Sequence, residues 1–491
     1  MNTMYISTRG NSPAQPFAYA VNQGMVSGGG LFVPENIPQV DFSGLVGQPY
    51  QKVAAAVLTP YMGGFDAAEI ADCVNAAYTA ESFDIPEVVR TVPVGDMSRI
   101  LELWHGPTAA FKDVALQIMP HFMRYSKAKC GDSDHTVILV ATSGDTGKAA
   151  LEGFKNREGI SIIVFYPDGG VSEVQRLQMA TTDGANTHVV AVRGNFDDCQ
   201  NGVKALFGDV KLRDEAAGRG IKFSSANSIN WGRLCPQIVY YVKSYLDLVA
   251  GGEILYGDEI DFCVPTGNFG NILAGYYAKK MGLPVRKLIC ASNCNNVLTD
   301  FFWNGSYDRN RTFHRTMSPS MDILISSNLE RFLFEMSGRD ANMVTGWYEE
   351  LDETGEFTVG ENLRAKMGEF IAAYWVDEQM VLDTIGAVYR EQGYVMDTHT
   401  AVAVAAVKEY VPDIPVVIAS TASPYKFSAD VLKGLGIAAD GDEFESVNKL
   451  SKTNAGRIHS AVAGLKEKPV LHNRVIDISE MREIVELLIS K

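Results

Sequence analysis

Trp104-His-Gly-Pro-Thr-Ala-Ala-Phe-Lys-Asp113 is the stretch on which the reading of this chain turns. Gly106 and Pro107 break the strand-like run 98–103, and Thr108 is placed to cap a helix that reads on through Val114, Ile118, Phe122 and Tyr125. Lys112 then falls in the first helical turn, beside the positive end of the macrodipole, where an ammonium group is disfavoured. Two readings stand side by side. Lys112 is a solvated surface residue that tolerates a small penalty, or it is an amine that works uncharged, since a nucleophilic lysine must shed its proton to form an imine with a carbonyl.

Outward from that stretch, short β runs alternate with helices. Residues 136–141, 160–166 and 187–192 read as buried strands, each followed by a helix, at 146–154, 172–181 and 197–207. A second series has a strand at 261–264, a helix at 271–281 and a strand at 286–291, and closes with a helix at 400–410 and a strand at 416–419. Such alternation predicts an α/β fold with two lobes of parallel sheet covered by helices. Residues 1–95 read as a lead-in domain with helical patterns near 51–58 and 67–80. Within it the triplet Gly28-Gly-Gly30 reads as a tight turn. The catalytic region is expected over 96–440, with a mostly helical insert at about 300–380 in which Phe301-Phe-Trp303 serves packing. The segment 441–491 is polar and mixed, with a last helix at 479–489.

The totals set bounds on function. A chain of 491 residues exceeds one ordinary core, and 46% hydrophobic with 21% charged residues is a globular balance. No run of eighteen apolar residues occurs, so no membrane partner is expected, and the start of the chain lacks the basic and apolar regions of a signal peptide. A net charge of −16 without a basic block argues against nucleic acid. The seven cysteines are odd in number and scattered, which suits a reduced, cytoplasmic protein. Cys290-x-x-x-Cys294 has no second pair or histidine nearby, so no metal site is expected.

Three loops following strands carry the chemical signals. Pro265-Thr-Gly-Asn-Phe-Gly-Asn271 precedes a helix, and its glycines allow a tight turn with backbone N–H groups pointing outward. It lacks the Lys-Ser/Thr of a nucleotide P-loop and the GxGxxG of a dinucleotide fold, so it reads as a cradle for a small cofactor phosphate or as a plain turn. Thr142-Ser-Gly-Asp-Thr-Gly147 offers hydroxyls and free amides to a carboxylate or a second phosphate, although Asp145 would repel one and suits an ammonium or a helix cap better. Ser420-Thr-Ala-Ser-Pro-Tyr-Lys426 follows the strand at 416–419. Ligands of open α/β sheets sit at the carboxyl ends of strands, and all three loops fall there. A reactive lysine together with these loops points to a phosphorylated carbonyl cofactor, pyridoxal phosphate.

At that point a family resemblance becomes legible. His105-Gly-Pro-Thr-Ala-Ala-Phe-Lys-Asp113 resembles the pyridoxal-lysine motif of threonine synthases, which are similar to the tryptophan synthase β family of fold type II. Tyr5-Ile-Ser-Thr-Arg-Gly10, Thr142–Gly147, Asn227-Ser-Ile-Asn-Trp231, Gly267–Asn271 and Ser318-Pro-Ser-Met-Asp-Ile-Leu-Ile-Ser-Ser327 match in order, so the resemblance covers essentially the whole chain. It implies that Lys112 carries the cofactor and acts as acid and base. It implies further that Gly267, Asn268, Phe269 and Asn271 cradle the cofactor phosphate and that Thr421 meets the pyridine nitrogen. Thr108, Ser143, Asp145, Thr146, Asn227, Arg233 and Lys426 would line the substrate side. The implied reaction turns O-phospho-L-homoserine and water into L-threonine and phosphate, in a monomer or homodimer. Lys148, Arg176, Arg233 and Lys426 are candidates for the substrate phosphate, with Arg233 preferred. His105 and His399 are expected to be neutral, hydrogen-bonded and loop-shaping rather than catalytic.

Departures from the family pattern are Gly28 for Asp, Ala109 for Leu, Thr398 for Pro before His399, and Ser423 for His in Thr421-Ala-Ser-Pro424. A phospho-lyase of the same fold, releasing a 2-oxo acid, shares every cofactor motif. A non-catalytic relative would have no need of an amine at position 112.

Overall fold

The apolar runs become the strands of two mainly parallel sheets. In the computed structural model, which describes residues 3–490, the larger sheet has six strands. Their order is Ile371–Trp375, Val285–Ser292, Ile260–Pro265, Val416–Ser420, Ser98–Glu102 and Arg90–Pro93. All neighbours pair in parallel except the last two. The middle strands Ile260–Pro265 and Val416–Ser420 are buried at every position, so they are apolar on both faces apart from Asp261, which pairs with Arg286 at 2.6 Å, and the terminal Ser420. The second sheet has five parallel strands, ordered Arg474–Asp477, Thr187–Arg193, Ile160–Pro167, His135–Ala141 and Ile221–Ser224. The expected α/β class with two helix-covered lobes is therefore present.

Residues 3–80 pack into the same core. A three-stranded antiparallel sheet, Gln15–Pro16, Met4–Ser7 and Phe32–Pro34, precedes the helices Tyr50–Leu58 and Ala67–Ala77. Gly28, Gly29 and Gly30 all have positive φ, as a tight turn requires. Tyr5 and Tyr61 each place a ring 5.5 Å from that of Trp231, which is fully buried at the start of the long helix Trp231–Ala250.

Four strands of the two main sheets lie where the sequence reading placed none: Arg90–Pro93, Ile221–Ser224, Ile371–Trp375 and Arg474–Asp477. Ile371–Trp375, at the end of the largely helical stretch, forms an edge of the large sheet, and Arg474–Asp477 in the polar tail forms an edge of the small one. Only Ile476 of the latter is buried, so its apolar signature is a single residue. The helix after the opening stretch also differs from expectation. It runs Lys112–Lys129 behind Phe111, and Thr108 does not cap it. Instead the Thr108 amide and hydroxyl both donate to the carboxylate of Asp113, at 2.9 and 2.7 Å.

Candidate active site

The turn before Lys112 is stitched to the end of the strand Val416–Ser420. Leu103 N–H donates to the Ser420 carbonyl, Phe111 N–H to that of Thr421, and Ser423 N–H to that of Ala109, at 3.0, 2.9 and 3.1 Å. Ala109 is fully buried with φ +59, a left-handed backbone that a small side chain tolerates best. A Cβ on Gly106 would lie 2.4 Å from that of Asp113, so only glycine fits there. The carboxyl of Asp113 is pushed up to about 6 by burial, against the Thr108 hydrogen bonds that favour its charge.

These contacts aim Lys112 inward. Its side chain is 11% exposed, with Nζ 3.5 Å from both Asp145 Oδ2 and Ser320 Oγ. Burial, reinforced by the cations Lys426 and Arg233, outweighs the pull of Asp145 and holds the amine below the usual lysine range. Asp145 is also buried, which disfavours its charge. Lys426 and Lys112 overcome that and keep it well below the usual carboxylate range. Its Oδ1 lies 2.6 Å from Lys426 Nζ and accepts from Gln175 Nε2 at 2.9 Å. Lys426, a candidate for the substrate phosphate, is thus committed elsewhere: its ammonium neutralises Asp145 and donates to the Thr108 carbonyl at 3.0 Å.

The glycine loop between Ile260–Pro265 and the helix Gly270–Lys280 has the opposite character. The amides of Gly267, Asn268 and Phe269 find no acceptor among the described residues. The tight turn comes from Phe269, at φ +60, rather than from a glycine. Gly267 is required for close approach, since a Cβ there would lie 3.0 Å from the Ser320 carbonyl oxygen and 3.2 Å from Met321 Cα. Phe269 is buried against Phe302 and Phe332, and Phe301 is in the core, whereas Trp303, expected to pack with them, is exposed and donates its indole N–H to the Ala373 carbonyl at 2.9 Å. Asn271 receives the hydroxyls of Tyr240 and Tyr241 on its Oδ1, at 2.5 and 2.7 Å, while its buried Nδ2 has no partner. Free amides, a helix start and an orphaned side-chain donor suit a phosphate monoester. Ser320 links this loop to Lys112: its hydroxyl touches the amine and its carbonyl abuts Gly267.

A second anion-seeking group, a cation without a carboxylate, lies within electrostatic reach of Lys112. Arg233 is buried, and its hydrogen bond runs from Nη1 to the Ala226 carbonyl at 2.7 Å, with Nε unpartnered. Burial lowers its pKa to about 10. A buried guanidinium without a carboxylate is costly, and an incoming anion would relieve it. Ser143 and Thr146 are half-buried in the 142–147 loop, with hydroxyls unused among the described residues. Thr142 holds that loop by accepting from the amides of Gly144 and Gly147. Thr421 is buried and meets the Lys112 turn through its carbonyl.

Other candidates lie elsewhere. Asn227 is exposed on the turn before Trp231, and the buried Asn230 caps the helix instead. Lys148 pairs with Glu152 and Thr182, and Arg176 with Glu173 at the surface, so neither is free for a substrate phosphate. His399 behaves as expected of a loop-shaping residue: Nδ1–H donates to Asp397 at 2.8 Å, and Nε2 accepts the Ser320 amide at 3.1 Å. His105 differs in its partners. Its two ring nitrogens face Asp84 and Glu102, at 2.8 and 3.0 Å. Although burial opposes the charge, these bonds to Asp84 and Glu102 raise its pKa above the ordinary histidine value. The sequence reading assigned no role to Ser320, Gln175 or Asp113. Ser320 lies in one of the quoted motifs and Asp113 beside the lysine, whereas nothing in the sequence points to Gln175.

Fold and site together define a pyridoxal-phosphate-dependent enzyme of fold type II. The family model "Pyridoxal-phosphate dependent enzyme" matches residues 101–421, flanked by "Threonine synthase N terminus" over 4–78 and "Threonine synthase, C-terminal" over 400–488. Threonine synthase of Pseudomonas aeruginosa is 40% identical, covering 88% of this chain and 91% of its own. The crystal structure of pyridoxal-phosphate-bound threonine synthase from Brucella melitensis superposes with a TM-score of 0.89 at 37% identity, covering 99% of both chains. The human threonine synthase-like 1 protein is 39% identical, and this chain, matched over 96% of its length, spans 64% of that one. The chain belongs to the threonine synthase family, and its cofactor is pyridoxal 5′-phosphate. No helix among the described residues is long and apolar enough to cross a membrane.

Proposed function

We propose that this protein is a threonine synthase in activity, converting O-phospho-L-homoserine and water to L-threonine and phosphate by γ-elimination and β-hydration, the last step of threonine biosynthesis. The observation that carries the reading is a pair of unsatisfied anion sites around one buried amine. The free amides of the 267–269 loop form one and Arg233 the other. A phosphorylated cofactor and a phosphorylated substrate need two.

Pyridoxal phosphate, when bound, supplies the electron sink that lets the substrate α-carbon release its proton. In this reading Lys112 carries its carbonyl carbon, the amides of Gly267, Asn268 and Phe269 with Asn271 Nδ2 hold its phosphate, and the Thr421 hydroxyl meets its ring nitrogen. A hydroxyl leaves that nitrogen without the full charge an aspartate would enforce. Lys112, displaced by the substrate amine, takes the α-proton, a task that suits an amine disfavoured as ammonium. It later returns a proton to the same carbon. Asp145 stays anionic beside Lys426, so it repels the substrate phosphate and favours its placement at Arg233. Ser143 and Thr146 offer hydroxyls to the substrate carboxylate, Thr108 and Lys426 fix the wall behind them, and Asn227 stands at the outer rim.

Residues 1–95 form the threonine-synthase-type N-terminal domain in this reading, 96–440 the catalytic region and 441–491 a C-terminal segment. A cytoplasmic setting fits the seven unpaired thiols. The test is incubation with O-phospho-L-homoserine, following L-threonine, phosphate and 2-oxobutanoate together. Threonine and phosphate in equal amounts are expected, and Lys112→Ala should release neither. Formation of 2-oxobutanoate in place of threonine would make the protein a phospho-lyase, and turnover by Lys112→Ala would refute the role of the lysine.

A further inference from the structure

The segment from Met317 to Asn328 lies over the glycine loop as a strap. At its far end Ser326 Oγ donates to the Gly267 carbonyl at 2.7 Å, Asn328 N–H to that of Asn268 at 3.0 Å, and Ser327 Oγ to Asn268 Oδ1 at 3.2 Å. At its near end it is tied to the start of the helix Thr398–Tyr410. Thr398 Oγ1 donates to the Met317 carbonyl at 2.6 Å, and the Ser320 amide donates to His399 Nε2 at 3.1 Å. Asp397, fully buried, accepts a hydrogen bond from His399 Nδ1–H at 2.8 Å, which fixes the tautomer and leaves Nε2 an acceptor. Between the two ends Ser320 Oγ lies 3.5 Å from Lys112 Nζ and 3.4 Å from Asp145 Oδ2.

We propose that His399 is a positioning residue that acts through the Ser320 amide, holding the Ser320 hydroxyl against Lys112 and setting the register of the strap over the phosphate loop. The inference deepens the proposed function and rests on Lys112 being the reacting amine. His399 takes no direct part in proton transfer, because both ring nitrogens are committed, one to Asp397 and one to a backbone amide. Its ring packs on Phe427, 4.8 Å between centroids, so it is fixed from a third side. Thr398, where the family often has proline, adds a hydroxyl tie that proline cannot make. Loss of the tie frees Ser320 to swing from Lys112, and a misplacement of about 1 Å at a reacting group costs on the order of 100-fold in rate.

Four variants test this: His399→Leu, His399→Gln, Ser320→Ala and the His399→Leu/Ser320→Ala double. Hydrogen exchange on the cofactor-free protein reads the tie directly. The peptide spanning 317–322 should exchange at least tenfold faster in His399→Leu, with partial recovery in His399→Gln, whose amide oxygen can accept. In the holoenzyme His399→Leu and Ser320→Ala should each lower kcat about 10- to 100-fold with KM changed little. The double variant should be no worse than His399→Leu alone, because two links of one chain do not multiply. Borohydride trapping of added pyridoxal phosphate on Lys112 should slow in the same rank order. Unchanged exchange in His399→Leu, or multiplicative losses in the double, overturns the proposal. Should His399→Leu fail to fold, His399→Gln and Ser320→Ala carry the test, and an undisturbed 317–322 peptide with full kcat in both overturns it. If wild-type Lys112 takes up no label at all, the reading of the lysine has failed, whereas the exchange measurement still decides the His399–Ser320 tie.

Discussion

Replacing Lys426 by methionine should expose how much the region around Lys112 depends on one buried ion pair. Lys426 and Asp145 have side chains 0% and 4% exposed and lie 2.6 Å apart. Removing the cation leaves Asp145 with Gln175 and a more distant Lys112, and stripping one partner from a buried pair costs roughly 3–5 kcal/mol. Unfolding entropy of about 2.1 cal/mol/K per residue over 491 residues is about 1 kcal/mol/K if the chain melts as one unit. The thermal midpoint should therefore fall by about 3–5 °C, more if a smaller cooperative unit melts first. Adding Asp145→Asn removes the orphaned charge and should restore most of that loss. A second effect follows from sign. Lys426 is one of the cations that hold the Lys112 amine down, so without it the ammonium form gains and cofactor attachment at neutral pH should slow. Calorimetry of the wild type, the single and the double variant at one pH decides the matter. A drop under about 1 °C in Lys426→Met, or a double variant that falls as far as the single, would show that the pair is not what stabilises this wall.

Gly267→Ala should fold yet bind pyridoxal phosphate at least tenfold more weakly in a spectroscopic titration, because its Cβ meets backbone atoms at 3.0 and 3.2 Å that have no rotamer to yield. Asp113, raised to about 6, favours its protonated form in the folded state, so its contribution to stability is full below pH 4 and lost as pH rises to about 6. The difference is on the order of 3 kcal/mol, and Asp113→Asn should abolish that slope in melting temperature across pH 4 to 7. His105, whose pKa is also raised, stabilises the fold below about pH 6.5 and ceases to do so as pH climbs through its folded value. Melting temperatures between pH 6 and 9 should decline more steeply in the wild type than in His105→Gln, and equal slopes would remove the imidazolium from the account.

How much was legible in the sequence follows from how far each contact reaches along the chain. Lys112, the 265–271 loop and the 142–147 loop each sit in a local strand–turn–helix unit, and local patterns place such residues well. The partners that give Lys112 its character do not. Ser320 is 208 residues away and Lys426 further still, so nothing near the lysine announces them. The raised pKa of His105 was hidden for the same reason: Glu102 lies three residues before it, but its second carboxylate, Asp84, arrives from the preceding segment. Thr108 resembles a cap by type and position, and lost that role to a buried Asp113 that claims both its donors. The strand Arg474–Asp477 escaped notice because an edge strand with one buried side chain has almost no apolar signature.

The stitching of the Lys112 turn to the backbone of residues 420–423 has a temporal corollary. On the ribosome the lysine is made first, and the carbonyls that hold its turn belong to residues made some three hundred positions later. At typical elongation rates that interval is about 15–60 s, during which a vitamin B6 aldehyde would meet an unshaped amine. Cofactor loading of a nascent chain should therefore wait until residues 420–423 have been made and have reached the turn.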